Sequence, residues 1–251
     1  MKNLLFWLYI IAAIVLINVG YIYWETRVTD SKEKASVITE KKETKQTTKA
    51  DKAKTSNNTE PNDKLFKNDT FQSIYNNAVK EKDAMNITIV STPYQTADDN
   101  STVKEAFEKE TDTFIKVNEV EISNASSNLN LDDIKNTQPD LVIIDAMTLN
   151  DYYENITVED HNTTVENIYS SLNNDNIPVV IAGTRSEIND TNFIAYQQRE
   201  AEYFNNQNNF NYINQSENWS NRDNLVTSDS LLTAEGVEQW VTSITGYLFN
   251  E

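Results

Sequence analysis

Three uninterrupted runs of aliphatic and β-branched residues set the limits on what this chain can fold into. They are Ile87-Thr88-Ile89-Val90, Leu141-Val142-Ile143-Ile144 and Pro178-Val179-Val180-Ile181-Ala182-Gly183. A strand that is apolar on both faces must be covered on both faces, which is the condition of a parallel sheet between helical layers. Amphipathic helices fill the intervals. Phe71, Ile74, Tyr75 and Ala78 recur at helical spacing ahead of the first strand. Thr102 with Glu105 forms a capping box that opens a helix carrying Val103 and Phe107. Residues 117–122 alternate as a further strand, and 131–137 form a short helix stopped by Pro139. Thr163 with Glu166 opens a helix bearing Val165, Ile168, Tyr169 and Leu172. Residues 192–208 form the next helix, 210–213 a last short strand, and Val237, Trp240, Val241, Ile244 and Leu248 line one face of the final helix. The expected fold of residues 64–251 is α/β: a three-layer, doubly wound parallel sheet. Ligands of such sheets sit beyond the carboxyl ends of the strands, so the loops to watch are 91–100, 145–153, 183–189 and 218–233.

The segments before residue 64 have different compositions. Residues 4–24 are an apolar run broken only by Asn18 and Gly20. At about 1.5 Å per residue it spans the roughly 30 Å of a bilayer's hydrocarbon core. It lacks the small-residue cleavage site of a signal peptide, and Trp7, Tyr9, Tyr21, Tyr23 and Trp24 lie near its ends, where amphipathic rings favour the interface. The expectation is a single-pass transmembrane anchor over residues 1–24. Residues 25–63 have almost no large apolar side chains and read as a disordered polar linker. The long stalk favours placing the carboxyl-terminal domain outside the cell membrane, although the flanking lysines and arginines do not decide the orientation. From residue 61 onward, 32 acidic residues face 11 basic ones, a formal charge of −21. Such a surface repels nucleic acid and anionic polymers. Cysteine is absent, which excludes disulfides and thiolate metal sites.

Pro139-Asp140-Leu141-Val142-Ile143-Ile144 followed by Asn150-Asp151 resembles the third conserved block of the SGNH/GDSL hydrolases, in which a strand ends in a Gly-x-Asn-Asp loop. Leu231-Leu232-Thr233-Ala234-Glu235-Gly236 resembles the family's closing block, and residues 177–183 lie between them in the right order. The resemblance covers roughly residues 85–250. It implies a serine esterase fold in which the Asn150 side chain donates to the oxyanion.

The departures from that pattern bear on the chemistry. The family's first strand runs into Gly-Asp-Ser; here Val90 is followed by Ser91-Thr92-Pro93, so proline stands at the nucleophile's position. The position of the family's histidine falls on Leu231, or on Leu232 with a gap. That of its acid partner falls on Ser228 or Asp229, and the glycine of the third block becomes Thr148. Candidate catalytic residues are therefore Ser91 or Thr92 as a shifted nucleophile, Asn150 as oxyanion donor and Asp229 as acid. The single histidine, His161, lies between acidic residues in a different part of the chain and reads as a surface residue. Asp145 is too weak a base unless burial raises its pKa.

No cofactor is expected. The chain has only four glycines and no phosphate loop, and its paired acids lack the spacing of a calcium loop. The sequence leads to a membrane-tethered SGNH-like domain with degenerate motifs, holding a cell-envelope glycan or protein partner near Asn150, Tyr152 and Tyr153. The alternative is an esterase or deacetylase of envelope polysaccharide that uses Ser91 or Thr92.

Overall fold

The computed structural model describes residues 61–97, 99–185, 190–216, 219 and 224–250. The apolar run at residues 4–24 and nearly all of the polar linker lie outside them. Among the described residues no helix is long and apolar enough to cross a membrane.

The described residues form one compact unit. Helix α1 (Asp69–Lys82) leads into strand β1 (Met85–Ser91), followed by α2 (Val103–Glu110), β2 (Ile115–Glu121), α3 (Leu131–Asn136), β3 (Leu141–Asp145), α4 (Thr148–Tyr153), α5 (Val158–Asn174), β4 (Val179–Ala182), α6 (Thr191–Asn205), β5 (Tyr212–Ile213) and α7 (Ala234–Leu248). The five strands form one sheet in the order β2-β1-β3-β4-β5, and every pairing is parallel. The three continuous apolar runs occupy its centre. The edges are β2, which alternates Ile-Lys-Val-Asn-Glu-Val-Glu, and the two-residue β5. This is the three-layer α/β architecture expected from the strand and helix pattern.

Successive side chains of a strand point to opposite faces, so each central strand feeds two cores. Ile87, Ile89, Ile143 and Val180 join Phe71 of α1, Phe107 of α2 and Trp240 of α7. Val90, Val142, Ile144, Val179 and Ile181 join Ile134 of α3, Val165 and Leu172 of α5 and Phe204 of α6. Each such aliphatic side chain, fully removed from water, contributes about 1.5–3 kcal/mol.

The caps explain where helices begin. Thr102 and Glu105 make the expected reciprocal capping box, with Thr102 Oγ1 accepting from Glu105 N at 3.2 Å and Glu105 Oε2 from Thr102 N at 3.3 Å. Helix α5 starts six residues earlier than the Thr163–Glu166 pattern suggested. Thr157 Oγ1 accepts from Asp160 N at 3.2 Å and is the true cap. Thr163 instead donates its hydroxyl back to the Glu159 carbonyl at 2.8 Å, as threonines inside helices do.

The chain steps to β2 on one side of β1 and to β3 on the other. The crevice beyond the carboxyl ends of β1 and β3 is therefore the topological switch point, where ligands of such sheets bind.

Candidate functional site

Strand β1 ends at Ser91, and the turn after it is built locally. Proline has its φ preset and needs no N–H, so it suits the first position of a helical turn. Residues Pro93–Gln95 form one turn of 3-10 helix, with Gln95 Oε1 accepting from Thr92 N at 3.0 Å. The Thr92-Pro93-Tyr94-Gln95 spacing is a capping signature that would have revealed this turn from sequence. Thr92 is 3% exposed. Ser91 is 2% exposed, and its hydroxyl donates to Glu119 Oε1 on the neighbouring strand β2 at 2.6 Å.

Beyond β3, residues 148–153 form the six-residue helix α4, which was too short to show a periodicity in sequence. Its N-cap, Met147, adopts a left-handed φ of 59° and has no capping side chain. Asp145 replaces the cap by accepting from Met147 N at 2.8 Å through Oδ1. Its other oxygen accepts from the Gln95 amide. Burial pushes the Asp145 carboxyl up to about 6, against the opposing charge of Arg185. Arg185, 2% exposed, donates from Nη2 to the Tyr94 carbonyl at 2.6 Å and stands 5.8 Å from the Trp219 ring centroid.

Asn150 lies in α4 and is 4% exposed. Its Nδ2 donates to the carbonyls of Asn124 at 2.9 Å and Ile122 at 3.3 Å. The amide protons thus hold the loop after β2. Asp229 is exposed on the closing loop. No hydrogen bond joins the four sequence candidates to one another directly, although the Ser91 carbonyl and the Asn150 amide both engage the backbone of Ile122, at 2.9 and 3.3 Å. Ser91 faces the β2 edge, Thr92 is enclosed in its own turn, Asn150 is turned to the β2 loop, and Asp229 lies at the surface.

His161 is not a surface residue. It is fully buried in the first turn of α5, and its Nδ1 donates to Asp151 Oδ2 at 2.7 Å. Nε2 faces Glu200 Oε2 of α6 at 3.5 Å, too long for a good hydrogen bond but close enough for a strong charge interaction. Burial pushes the imidazole down; the hydrogen bonds and charges of Asp151 and Glu200 overcome this and raise it to about 9. The ring is an imidazolium between two carboxylates.

The rest of the network satisfies those carboxylates. Asp151 also accepts from the backbone N of Ser126 at 2.7 Å and from its hydroxyl at 2.5 Å. Glu200, fully buried, accepts from Tyr212 OH at 3.0 Å and Thr184 Oγ1 at 3.3 Å, and from the Thr148 hydroxyl. Thr148, where the family has glycine, is thus a ligand of this network. The cluster pins α4, α5, α6, β5 and the β2 loop together under the carboxyl edge of the sheet. Neither Glu200 nor Ser126 could be picked out from sequence.

Above it, the mouth of the crevice is aromatic. Tyr94 and Tyr153 rings lie 6.0 Å apart, and Tyr153 OH is 3.4 Å from Ser230 Oγ on the closing loop. The closing segment reaches this edge because Leu232 bridges to Ala97. Leu231, at the position of the family's histidine, brings only an aliphatic side chain to it. Among the described residues no cluster of three or more histidine, aspartate or glutamate side chains could hold a metal ion.

No family model and no curated protein sequence matches this chain. Solved structures do. A Streptococcus pneumonia protein described as a candidate platelet activating factor superimposes with a TM-score of 0.52 at 13% identity, over 71% of this chain and 91% of its own. TesA matches with a TM-score of 0.52 at 13% identity, over 65% and 97%. The acetyl xylan esterase AlAXEase matches with 0.50 at 14% identity, over 64% and 98%. The fold is that of the SGNH/GDSL hydrolases, as the order of the sequence blocks implied. At these identities the likeness extends to the fold alone.

Proposed function

We propose that this chain is a membrane-tethered SGNH-like domain that binds a component of the cell envelope in the old catalytic crevice and does not hydrolyse esters. The state of His161 carries this reading. A general base must accept a proton near neutral pH and reach its nucleophile. His161 is fully buried, and neither ring nitrogen is hydrogen-bonded by Ser91 or Thr92: Nδ1 engages Asp151 at 2.7 Å and Nε2 faces Glu200 at 3.5 Å. Proline at position 93, the outward engagement of Ser91 and the inward engagement of Asn150 support the same conclusion. The pair formed by exposed Tyr153 and half-buried Tyr94 supplies a surface suited to binding.

The full-length protein should neither react with a fluorophosphonate probe nor turn over acetyl and butyryl esters above a heat-treated control. It should co-sediment with an envelope fraction, and Tyr94→Ala should weaken that retention. Labelling at Ser91 or Thr92, abolished by alanine substitution, would refute the reading in favour of a shifted nucleophile. Tethering is tested separately: protease added to intact cells should release a fragment cut within residues 25–63.

A further inference from the structure

Two hollows lie side by side next to the aromatic mouth. One, of about 520 Å3, is walled by Tyr152, Tyr153, Asn155 and Tyr196; the other, of about 530 Å3, by Asn162, Thr163, Tyr203, Asn206 and Gln207. Val158, Glu159 and Arg199 line both, so the hollows are adjoining halves of one groove along α5 and α6. Each half lies within the range of small-molecule sites, about 300–1,000 Å3. An elongated pair suits a chain of linked units better than one compact ligand.

The two halves differ in chemistry. In the first, Tyr152 is held edge-on by Phe193 and Tyr196, at 5.0 and 5.8 Å between centroids, while Tyr153 remains 49% exposed. Tyrosine rings fixed in this way present flat faces with a polar rim. The second half carries side-chain amides and hydroxyls. Asn162 is only 6% exposed, and its Oδ1 has no hydrogen-bond partner. Buried polar atoms are almost always paired, so one left over beside a hollow marks a place for an outside partner. The cation of the groove, Arg199, is ion-paired with Glu159 and offers little to an anion. A polyanion is also repelled by the acidic domain. An extended peptide would pair with an open strand edge, and this groove runs between helices, with Val158 adding apolar surface to both halves and Glu202 a carboxylate to the second.

We propose that this groove binds an uncharged oligosaccharide of several units, its sugar rings lying on Tyr152 and Tyr153 and its hydroxyl and amide groups meeting the Asn162–Gln207 half. The proposal rests on the binding reading above and deepens it by naming the ligand class and where it lies.

The test is isothermal titration of the full-length protein with chitohexaose and cellohexaose as uncharged probes and polyglutamate as the acidic control. At least one hexasaccharide should bind saturably, more tightly than its disaccharide, with polyglutamate inert. Tyr153→Ala should weaken binding about tenfold, the loss typical of an aromatic anchor, and Gln207→Ala should weaken it measurably at the far end. Both substitutions are on accessible side chains, and an unchanged melting curve confirms that the fold is intact. Failure of both hexasaccharides to bind, or preference for polyglutamate, overturns the proposal. Binding that responds to Tyr94→Ala but not to Gln207→Ala also overturns it, while leaving the crevice-binding reading intact. Turnover of esters would instead sink the reading on which the proposal rests.

Discussion

Replacing Asp151 by asparagine isolates the buried imidazolium, because shape is kept and one charge is removed. The new carbonyl can still accept from Ser126 N, but the amide nitrogen would then face His161 Nδ1–H, donor against donor. The imidazole would keep only Glu200, at 3.5 Å. Losing an opposite charge at hydrogen-bond distance moves a pKa by about 1–3 units. His161 should therefore titrate about 1–3 pH units below the wild-type value of about 9. The energetic cost follows by two routes. Raising the histidine from 6.5 to about 9 represents roughly 3 kcal/mol at 1.36 kcal/mol per pH unit. Breaking a buried ion pair costs about 3–5 kcal/mol. At about 2–4 °C per kcal/mol for a domain of this size, the melting temperature should fall by about 6–20 °C. His161 is the chain's only histidine, so its imidazole NMR signals can be followed through a pH titration without assignment ambiguity. Adding His161→Gln to Asp151→Asn should not restore stability, because the buried Glu200 carboxylate then loses its counter-charge and keeps only its hydroxyl donors. A variant that melts within about 2 °C of wild type, with an unchanged histidine titration, would refute the ion-pair argument.

The wild-type pH profile follows from the same linkage. The His161 pKa is raised on folding, so its stabilisation is complete below about pH 6.5 and is lost as pH rises toward 9. Asp145 is raised from 3.8 to about 6, so the folded state also loses stability between those values as that carboxyl is forced to ionise. Urea titrations from pH 4 to 9 should show stability falling in both windows; a rise through pH 7–9 would contradict the His161 assignment. Ile143→Asp, at a fully buried position in the central strand, should abolish cooperative folding, since an unpaired core carboxylate costs several kcal/mol. Retention of the wild-type melting temperature would refute the strand assignment. Gly183→Ala would drive a Cβ into the Tyr212 hydroxyl, which donates to Glu200, and should lower the melting temperature. Combining it with Tyr212→Ala, which removes the whole ring, should cost less than the sum of the two single losses; if the losses simply add, the collision is not the cause.

What could be read along the chain is what depends on neighbours in sequence. Continuous apolar runs specified strands covered on both faces, and helical spacing specified the layers that cover them. The Thr102–Glu105 box located a helix start because a cap is a contact across three residues. Block order placed the chain among SGNH-like folds, and Pro93 and Leu231 marked the departures at the nucleophile and base positions. The condition of the site was not legible in this way. His161 meets Asp151 ten residues away and Glu200 thirty-nine residues away only because α4, α5 and α6 converge under the same sheet edge. Whether a histidine among acids is a solvated surface group or a locked imidazolium depends on burial, which sequence neighbours do not fix. Ser91 is engaged because it ends β1 diagonally across from Glu119, two residues before its register partner Glu121 on the next strand. Asn150 donates inward because a six-residue helix, held by Asp145 in place of a cap, turns it toward the β2 loop. Local propensity and patterning determined the scaffold, whereas the hydrogen bonds and charges that give its polar residues their roles were decided by packing across long sequence separations.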